Sequence, residues 1–381
     1  MIWNIENWYS EARAQSAASR MYYHNLVELR LAHLAEVRPD LSAAERMRRL
    51  VEFHQQRLVA VPSLTKYPEL RGMRELVSAE YRGIQDGAGF AETQLAAYCS
   101  GGIYAHRLLH TQVKPTLQAA GTAHCSYIFF PTSDYGPLLA NNLDSSPAEL
   151  FGPPGWPALS EHLILGGVSS GIFLDELSPE IFPAPVMKLV ARYCRTTSEA
   201  VEMLTRYNHF WGPGNLIVID PNHTVAMIEK SACRIGVRYS ADGFGYITAM
   251  SALEPSMQTY LADRRAASLV SRGLTAPCAD TRYWDGGDRR NRLMGELLDE
   301  ARKTPTLETL RQMIQFRDPA RGYVCYDGEV FHPGDPPVEH TLKTTIWQLR
   351  NHKALWWARK DGVSSFRNPQ PPVEFTGILW G

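Results

Sequence analysis

The stretch Thr122–Asp144, TAHCSYIFFPTSDYGPLLANNLD, places a lone cysteine at the head of one apolar run, then a turn, then a second apolar run that ends Asn-Asn-Leu-Asp. It reads as a hairpin with strands Cys125–Pro131 and Pro137–Asp144 about a turn at Thr132–Gly136. A register centred on that turn sets Cys125 opposite Asp144 and Tyr127 opposite Asn142. Side chains alternate along a strand, so Cys125, Asn142 and Asp144 would share one face and His124 would point to the other. Directly opposed side chains lie within contact reach. Two readings of Cys125 stand. A free cysteine in an apolar strand is usually a small buried hydrophobe. A carboxylate buried opposite a packing thiol is costly without partners, however, and a polar pair beside a thiol is easier to explain as a site.

Around this hairpin the chain has the composition of an ordinary globular protein. Of its 381 residues 44% are hydrophobic and 21% charged, and the formal net charge is −1. That balance gives no reason to expect a nucleic-acid partner. No apolar run approaches the length of a membrane span, and the N-terminal MIWNIENWYSEARAQ has no basic and apolar leader pattern. The six cysteines are far apart and form no CxxC pair. Reduced thiols in a cytoplasmic protein are the expectation, with no structural zinc.

The first 120 residues carry helical spacing, including a capping pattern at Ser42 and Glu45 and a glycine stop at Gly87 and Gly89. After residue 123 the texture changes to short apolar runs divided by turns. NLIVID-PNH-TVAMIE is a hairpin, and TLKTTIWQLRNHKALWWARKDG is a second with a tight turn at Asn351-His352. Helical patterns interrupt at TSEAVEMLTRY, where Thr197 or Ser198 is the expected cap, and at RNRLMGELLDEARK and TLETLRQMIQF. Strands that recur as hairpins, with helices clustered apart from them, imply an α+β fold built on antiparallel sheets. One structural domain is expected, with residues 1–123 as a helical N-terminal segment packed on a core of residues 124–381.

In order and spacing these segments resemble the acyl-coenzyme A:6-aminopenicillanic acid acyltransferase family of the N-terminal-nucleophile (Ntn) hydrolases. The residues that carry the likeness are Tyr67-Pro68-Glu69-Leu70-Arg71-Gly72, Cys125, Asn142-Leu143-Asp144, Gly214-Asn215 through Asp220 to Glu229, and the closing strands Thr345–Arg359. The resemblance implies an αββα sandwich of two antiparallel sheets. It also implies cleavage between His124 and Cys125, after which the freed amine of Cys125 would take its own thiol proton. The thiolate would then form an acyl-enzyme. Asp144 would orient the amine and Asn142 would help hold the constellation. In a chain that stays whole, the base would have to come from elsewhere, with His162, His209 and His340 as candidates.

The chain departs from that family in two places. Met250 stands where the family carries an oxyanion-binding Asn, and Cys325 is followed by Tyr326 where an Arg is usual. Loss of one oxyanion donor costs about 10²–10³ in rate, so Asn215 or a backbone N–H is the expected substitute. The resulting expectation is a cysteine-dependent acyltransferase acting through acyl-Cys125. Its partners would be a thioester donor, on an acyl carrier protein or coenzyme A, and a small-molecule amine acceptor. A condensing enzyme of antibiotic biosynthesis, like those of lincosamide assembly, fits that description. The alternatives are an Ntn-type amidohydrolase of a small amide and a non-catalytic relative that binds a small molecule. No cofactor or metal is expected.

Other signals read as structural. His106 and His110 lie one helical turn apart but lack the Glu of HExxH and a third ligand. WGPGN lacks the Lys-Ser/Thr of a phosphate loop. RRAASLVSR and DRRNR read as solvated helix faces, or as basic surface for an acidic carrier protein.

Overall fold

The computed structural model describes residues 4–60, 72–100, 104, 125–145, 158–168, 187, 190–208, 214–231, 234–249, 251–271, 273–327, 340–358 and 371–376. The N-terminal part is helical as expected, with α1 Ile5–Ala18, α2 Arg20–Val37, α3 Ala43–Ala60 and α4 Met73–Ala88. Ser42 Oγ accepts the Glu45 N–H at 3.2 Å at the head of α3. Gly89, at φ 71°, ends α4. Residues 92–100 are helical as well, and α5 Thr197–Arg206 is capped by Thr196, one residue before the expected cap.

Among the described residues the strands form two main antiparallel sheets. One comprises β1 Ser126–Phe130, β2 Leu138–Ser145, β8 Gly245–Thr248, β11 His340–Gln348, β12 Lys353–Ala358 and β13 Val373–Thr376, in the order β13-β12-β11-β2-β1-β8. The other comprises β3 Ala158–Leu159, β4 Ile164–Val168, β5 Gly214–Ile219, β6 Val225–Lys230 and β7 Ile235–Tyr239, in sequence order. A short pair, β9 Arg317–Asp318 and β10 Gly322–Tyr323, stands apart. Three further helices complete the layers: α6 Pro255–Ser271, α7 Ala279–Ala301 and α8 Leu307–Ile314.

The apolar clusters give the layer order. Tyr127, Phe129, Leu139, Ile247 and Trp347 of the first sheet pack with Ile164, Ile217, Ile219 and Met227 of the second, so these faces meet. The opposite face of the first sheet, with Ile128, Phe130, Ala140 and Ile346, packs on Leu293, Met294 and Leu297 of α7 and on Leu310 and Ile314 of α8. The opposite face of the second, with Leu165, Val218 and Ile228, packs with Ala200 and Leu204 of α5 and with residues of α1–α4. The fold is α+β, an αββα sandwich, as the sequence led one to expect. The sheets approach closely at Gly166, where an added Cβ would stand 2.8 Å from the Tyr127 ring, and at Gly245, where it would stand 2.7 Å from Val225 Cγ1.

The β1–β2 register differs from the expectation by one residue. Ser126 pairs with Asn142, Tyr127 with Asn141 and Phe130 with Leu138. The tight turn at Ser133–Gly136 closes by Gly136 N–H to Ser133 O, with Ser133 Oγ donating to Gly136 O. Pro131 and Thr132 precede this turn but only Pro137 follows it before the ladder resumes, so the strands pair off the turn's own centre. A one-residue slip moves every side chain to the other face. Cys125 therefore lies on the face between the sheets, while Asn142 and Asp144 lie on the face toward α7 and α8.

Asn142 ties that outer face together. Its Nδ2 donates to Ile314 O at 2.7 Å and Val324 O at 3.2 Å, and its Oδ1 accepts Thr344 Oγ1 at 2.8 Å. Asn142→Ala removes these three buried hydrogen bonds at once. We expect it to destabilise the fold by about 1–3 kcal/mol in urea unfolding, while alkylation of Cys125 in the folded protein proceeds at the wild-type rate.

Candidate active site

Cys125 immediately precedes β1 and is 7% exposed. Its carbonyl accepts two hydrogen bonds at 2.9 Å, from Ala249 N–H at the end of β8 and from Arg290 Nη2 of α7. Its thiol approaches the carbonyl oxygen of Asp144 at 3.8 Å. The backbone at the head of β1 is thus clamped from both neighbouring strands and from the helix layer.

Arg290 and Asp144 form an ion pair with both side chains fully buried, Nη1 to Oδ2 at 2.9 Å. The other carboxylate oxygen accepts Thr341 Oγ1 at 2.6 Å, and Thr341 Oγ1 in turn accepts the Tyr326 N–H at 2.8 Å. The Tyr326 ring lies under the guanidinium, 5.3 Å from ring centroid to Cζ. Burial pulls the Arg290 pKa down, but Tyr326, Asp144 and Cys125 outweigh it and hold the pKa above the ordinary arginine value. A guanidinium from α7 thus rests on the ring of Tyr326, the residue after Cys325. Within DRRNR, Arg289 and Arg292 are exposed as expected of a solvated face, whereas Arg290 and Asn291 are buried.

Asn215 is buried on β5, and its Nδ2 donates to Thr248 O and Ser251 O, each at 2.8 Å. Both amide hydrogens are committed to the segment that carries Ala249, so Asn215 shapes the clamp on Cys125. Met250, His124, His106, His110, His209 and Tyr67–Arg71 lie outside the described residues. His162 sits in the β3–β4 turn, at the opposite end of β4 from Val168, which pairs with Asn215 near the head of β1. The fold does not bring it to Cys125. The backbone of His340 pairs with Ser145 at the end of the first sheet where Cys125 lies.

The register also brings in residues that the sequence reading passed over. Asn141, not Asn142, shares the inter-sheet face with Cys125, and its Nδ2 is fixed on Ser126 O at 2.9 Å and Asn142 O at 3.1 Å. On β11, Lys343 pairs with Leu143 and Thr345 with Asn141, so both fall on that face. Lys343 is 3% exposed, its ammonium lies 5.8 Å from the centroid of the Trp356 ring, and burial lowers its pKa to about 8. A single lysine within the uncharged run TLKTTIW was the available signal. For Arg290 the signal was its helical spacing from Leu293, Met294 and Leu297, which sets it on the apolar stripe of α7.

Compared with solved structures, the chain overlaps a conjugated bile acid hydrolase from Clostridium perfringens over 68% of its own length and 98% of that chain, at 9% identity and a TM-score of 0.38. It overlaps a penicillin V acylase from Agrobacterium tumefaciens over 62% of its length and 76% of that chain, at 12% identity and a TM-score of 0.34. No protein-family model and no curated protein matches the sequence. Overlap this loose assigns neither an activity nor a residue role. No described helix is long and apolar enough to cross a membrane, and no metal-binding cluster occurs among the described residues.

Two outcomes follow from the buried charges. Asp144→Asn leaves the Arg290 guanidinium uncompensated in a dry site and should cost about 3–5 kcal/mol, read from the shift in urea midpoint. Lys343, with a folded pKa of about 8, binds fewer protons folded than unfolded up to its unfolded value of about 10.4. Wild-type stability should therefore rise relative to Lys343→Met as pH increases from about 8 to about 10.4, and level off at its lower value below about 8. Parallel stability curves for the two proteins would contradict the assignment.

Proposed function

We propose that the chain is a cysteine-dependent acyl-transfer enzyme of Ntn-hydrolase type, with Cys125 as nucleophile. The observation that carries this reading is the treatment of one residue at the end of the sandwich. The Cys125 carbonyl is held by both a buried arginine and a strand amide, while its thiol faces the space between the sheets. A packing cysteine needs no buried ion pair to fix its backbone.

The acceptor we favour is an amine and the product an amide. The inter-sheet surroundings of Cys125 are apolar, with Tyr127, Val168, Ile247 and Ala249. An acyl-cysteine kept from water there survives until an amine arrives. A thioester is the matching donor, because a thiolate exchanges with it readily and asks less of the oxyanion site than an amide does. A carrier protein or coenzyme A would present it, and amide formation in antibiotic biosynthesis is the setting we propose. In this scheme Asp144 acts through Arg290, as a positioning residue for Cys125.

The test offers acyl-coenzyme A and acyl-N-acetylcysteamine thioesters with a panel of primary amines, counting amide and free acid separately. We expect an acyl adduct on Cys125 in the intact mass, an excess of amide over acid, and loss of both in Cys125→Ala. Free acid without amide would make the protein a hydrolase. Undiminished turnover in Cys125→Ala would remove Cys125 from the chemistry.

A further inference from the structure

Acyl transfer through Cys125 turns the carbonyl oxygen of the donor into an oxyanion, and Asn215 is the side chain that the sequence offers to meet it. In the fold both amide hydrogens of Asn215 go to main-chain carbonyls. Asn141, on the inter-sheet face of the first sheet, is engaged in the same way, on Ser126 O and Asn142 O. Arg290 turns its two Nη groups to Asp144 and to the Cys125 carbonyl. Glu229, 3% exposed, stands directly opposite Asn215 in the β5–β6 ladder. Its Oε1 and Oε2 accept the Leu253 N–H at 2.9 and 2.8 Å, and Oε2 also accepts the Glu254 N–H at 2.8 Å. Arg238 of β7 balances the carboxylate, Nη2 to Oε1 at 3.1 Å. From α7, Asp288 accepts the Ser251 hydroxyl at 2.8 Å and Asn291 donates to it at 2.9 Å. The main chain after β8 is thus pinned at Thr248, Ser251, Leu253 and Glu254, from β5, β6 and α7.

This stretch lies against Cys125. Ala249 N–H donates to the Cys125 carbonyl, and the consecutive residues Arg290 and Asn291 hold that carbonyl and the Ser251 hydroxyl, each bond being 2.9 Å. The carbonyl oxygens of Thr248 and Ser251 both lie 2.8 Å from one nitrogen, Asn215 Nδ2, so they are at most twice that distance apart. In a trans peptide the N–H points opposite to the C=O. Two peptide groups therefore turn their carbonyls to Asn215 and their N–H groups away from it. One of these N–H groups, that of Ala249, meets Cys125. The other is that of Ala252, a residue 7% exposed. It has no hydrogen-bond partner among the described residues, whereas the N–H groups of Leu253 and Glu254 beside it are both taken. Buried main-chain N–H groups without a partner are rare.

We infer that the Ala252 N–H is the oxyanion donor of the acyl-transfer site, and that Asn215 and Glu229 are the residues that position it. This rests on the proposed role of Cys125. The Cys125 thiol gives its proton to water. The thiolate forms the S–C bond to the thioester carbonyl carbon, and the π pair of the C=O moves onto oxygen, where the Ala252 N–H meets the charge. The pair then returns, the bond from carbon to the donor sulfur breaks, and the departing thiolate takes a proton from water. A main-chain donor pinned on both sides needs no reorganisation as the charge develops. Met250, two residues earlier, has no side-chain donor to offer in its place.

The test compares two reactions of one thiol in the full-length protein. Acylation by an acyl-N-acetylcysteamine thioester builds an oxyanion, and alkylation by iodoacetamide displaces iodide and builds none. Both are scored by the mass added at Cys125. L-lactate in place of Ala252 puts an ester where the amide was and deletes this donor. We expect it to slow acylation about 10²-fold and to leave alkylation at the wild-type rate. Glu229→Gln keeps one acceptor oxygen for two N–H groups, and it should slow acylation about tenfold, again with alkylation unchanged. Wild-type acylation in the lactate protein, or an equal slowing of both reactions in either variant, would overturn the inference and leave the nucleophile in place. Absence of acyl-Cys125 in the wild type, with alkylation intact, is the separate failure, that of the proposed function.

Discussion

A guanidinium and a carboxylate enclosed together, Arg290 against Asp144, hold the corner of the molecule where β1 begins. One comes from α7 and the other from the end of β2, and the arginine continues to the carbonyl of Cys125. Desolvation of two ions roughly offsets their attraction, so such a pair adds little net stability. Its contribution is positional. The guanidinium offers donors in a fixed planar fork, with Nη1 on the carboxylate and Nη2 on the carbonyl, and Tyr326 forms its floor. Helix, hairpin and the head of β1 are thereby set relative to one another at one point.

The first sheet divides its duties by face. Toward α7 and α8 it carries the fixed polar framework: Asn142 on the carbonyls of Ile314 and Val324, and Asp144 on Arg290 and Thr341. Toward the second sheet it carries Cys125, Asn141 and Lys343 among apolar neighbours. The two sets belong to the same three strands and are separated only by strand parity. The hydrogen-bonded framework is thus kept apart from the groups that face the second sheet, and the backbone itself is the partition.

The fold was legible because its signals are local and repeat. Helical spacing gave α1–α4, and hairpin turns such as Asp220–His223 and Asn351-His352 gave antiparallel pairs. The site was legible only in part. Cys125 and Asp144 stood out by their place in a strand and a motif. Arg290 did not, because a charged residue in DRRNR looks solvated until its helix is docked. The choice of Asn142 over Asn141 went the wrong way geometrically, since adjacent asparagines differ only in which face they reach.

The sequence by itself determined which segments are helix and which are strand, that the sheets are antiparallel, and that one thiol heads the first central strand. Those follow from periodicity, caps and turn residues, which act over a few positions. Tertiary structure alone decided the one-residue register of the hairpin, the burial of Arg290 beneath Asp144 and the arrival of Lys343 on the face of Cys125. Each requires segments far apart in the chain to meet, and a shift of one residue in one ladder, too small to read from a turn, reverses which side of the sheet every one of these groups faces.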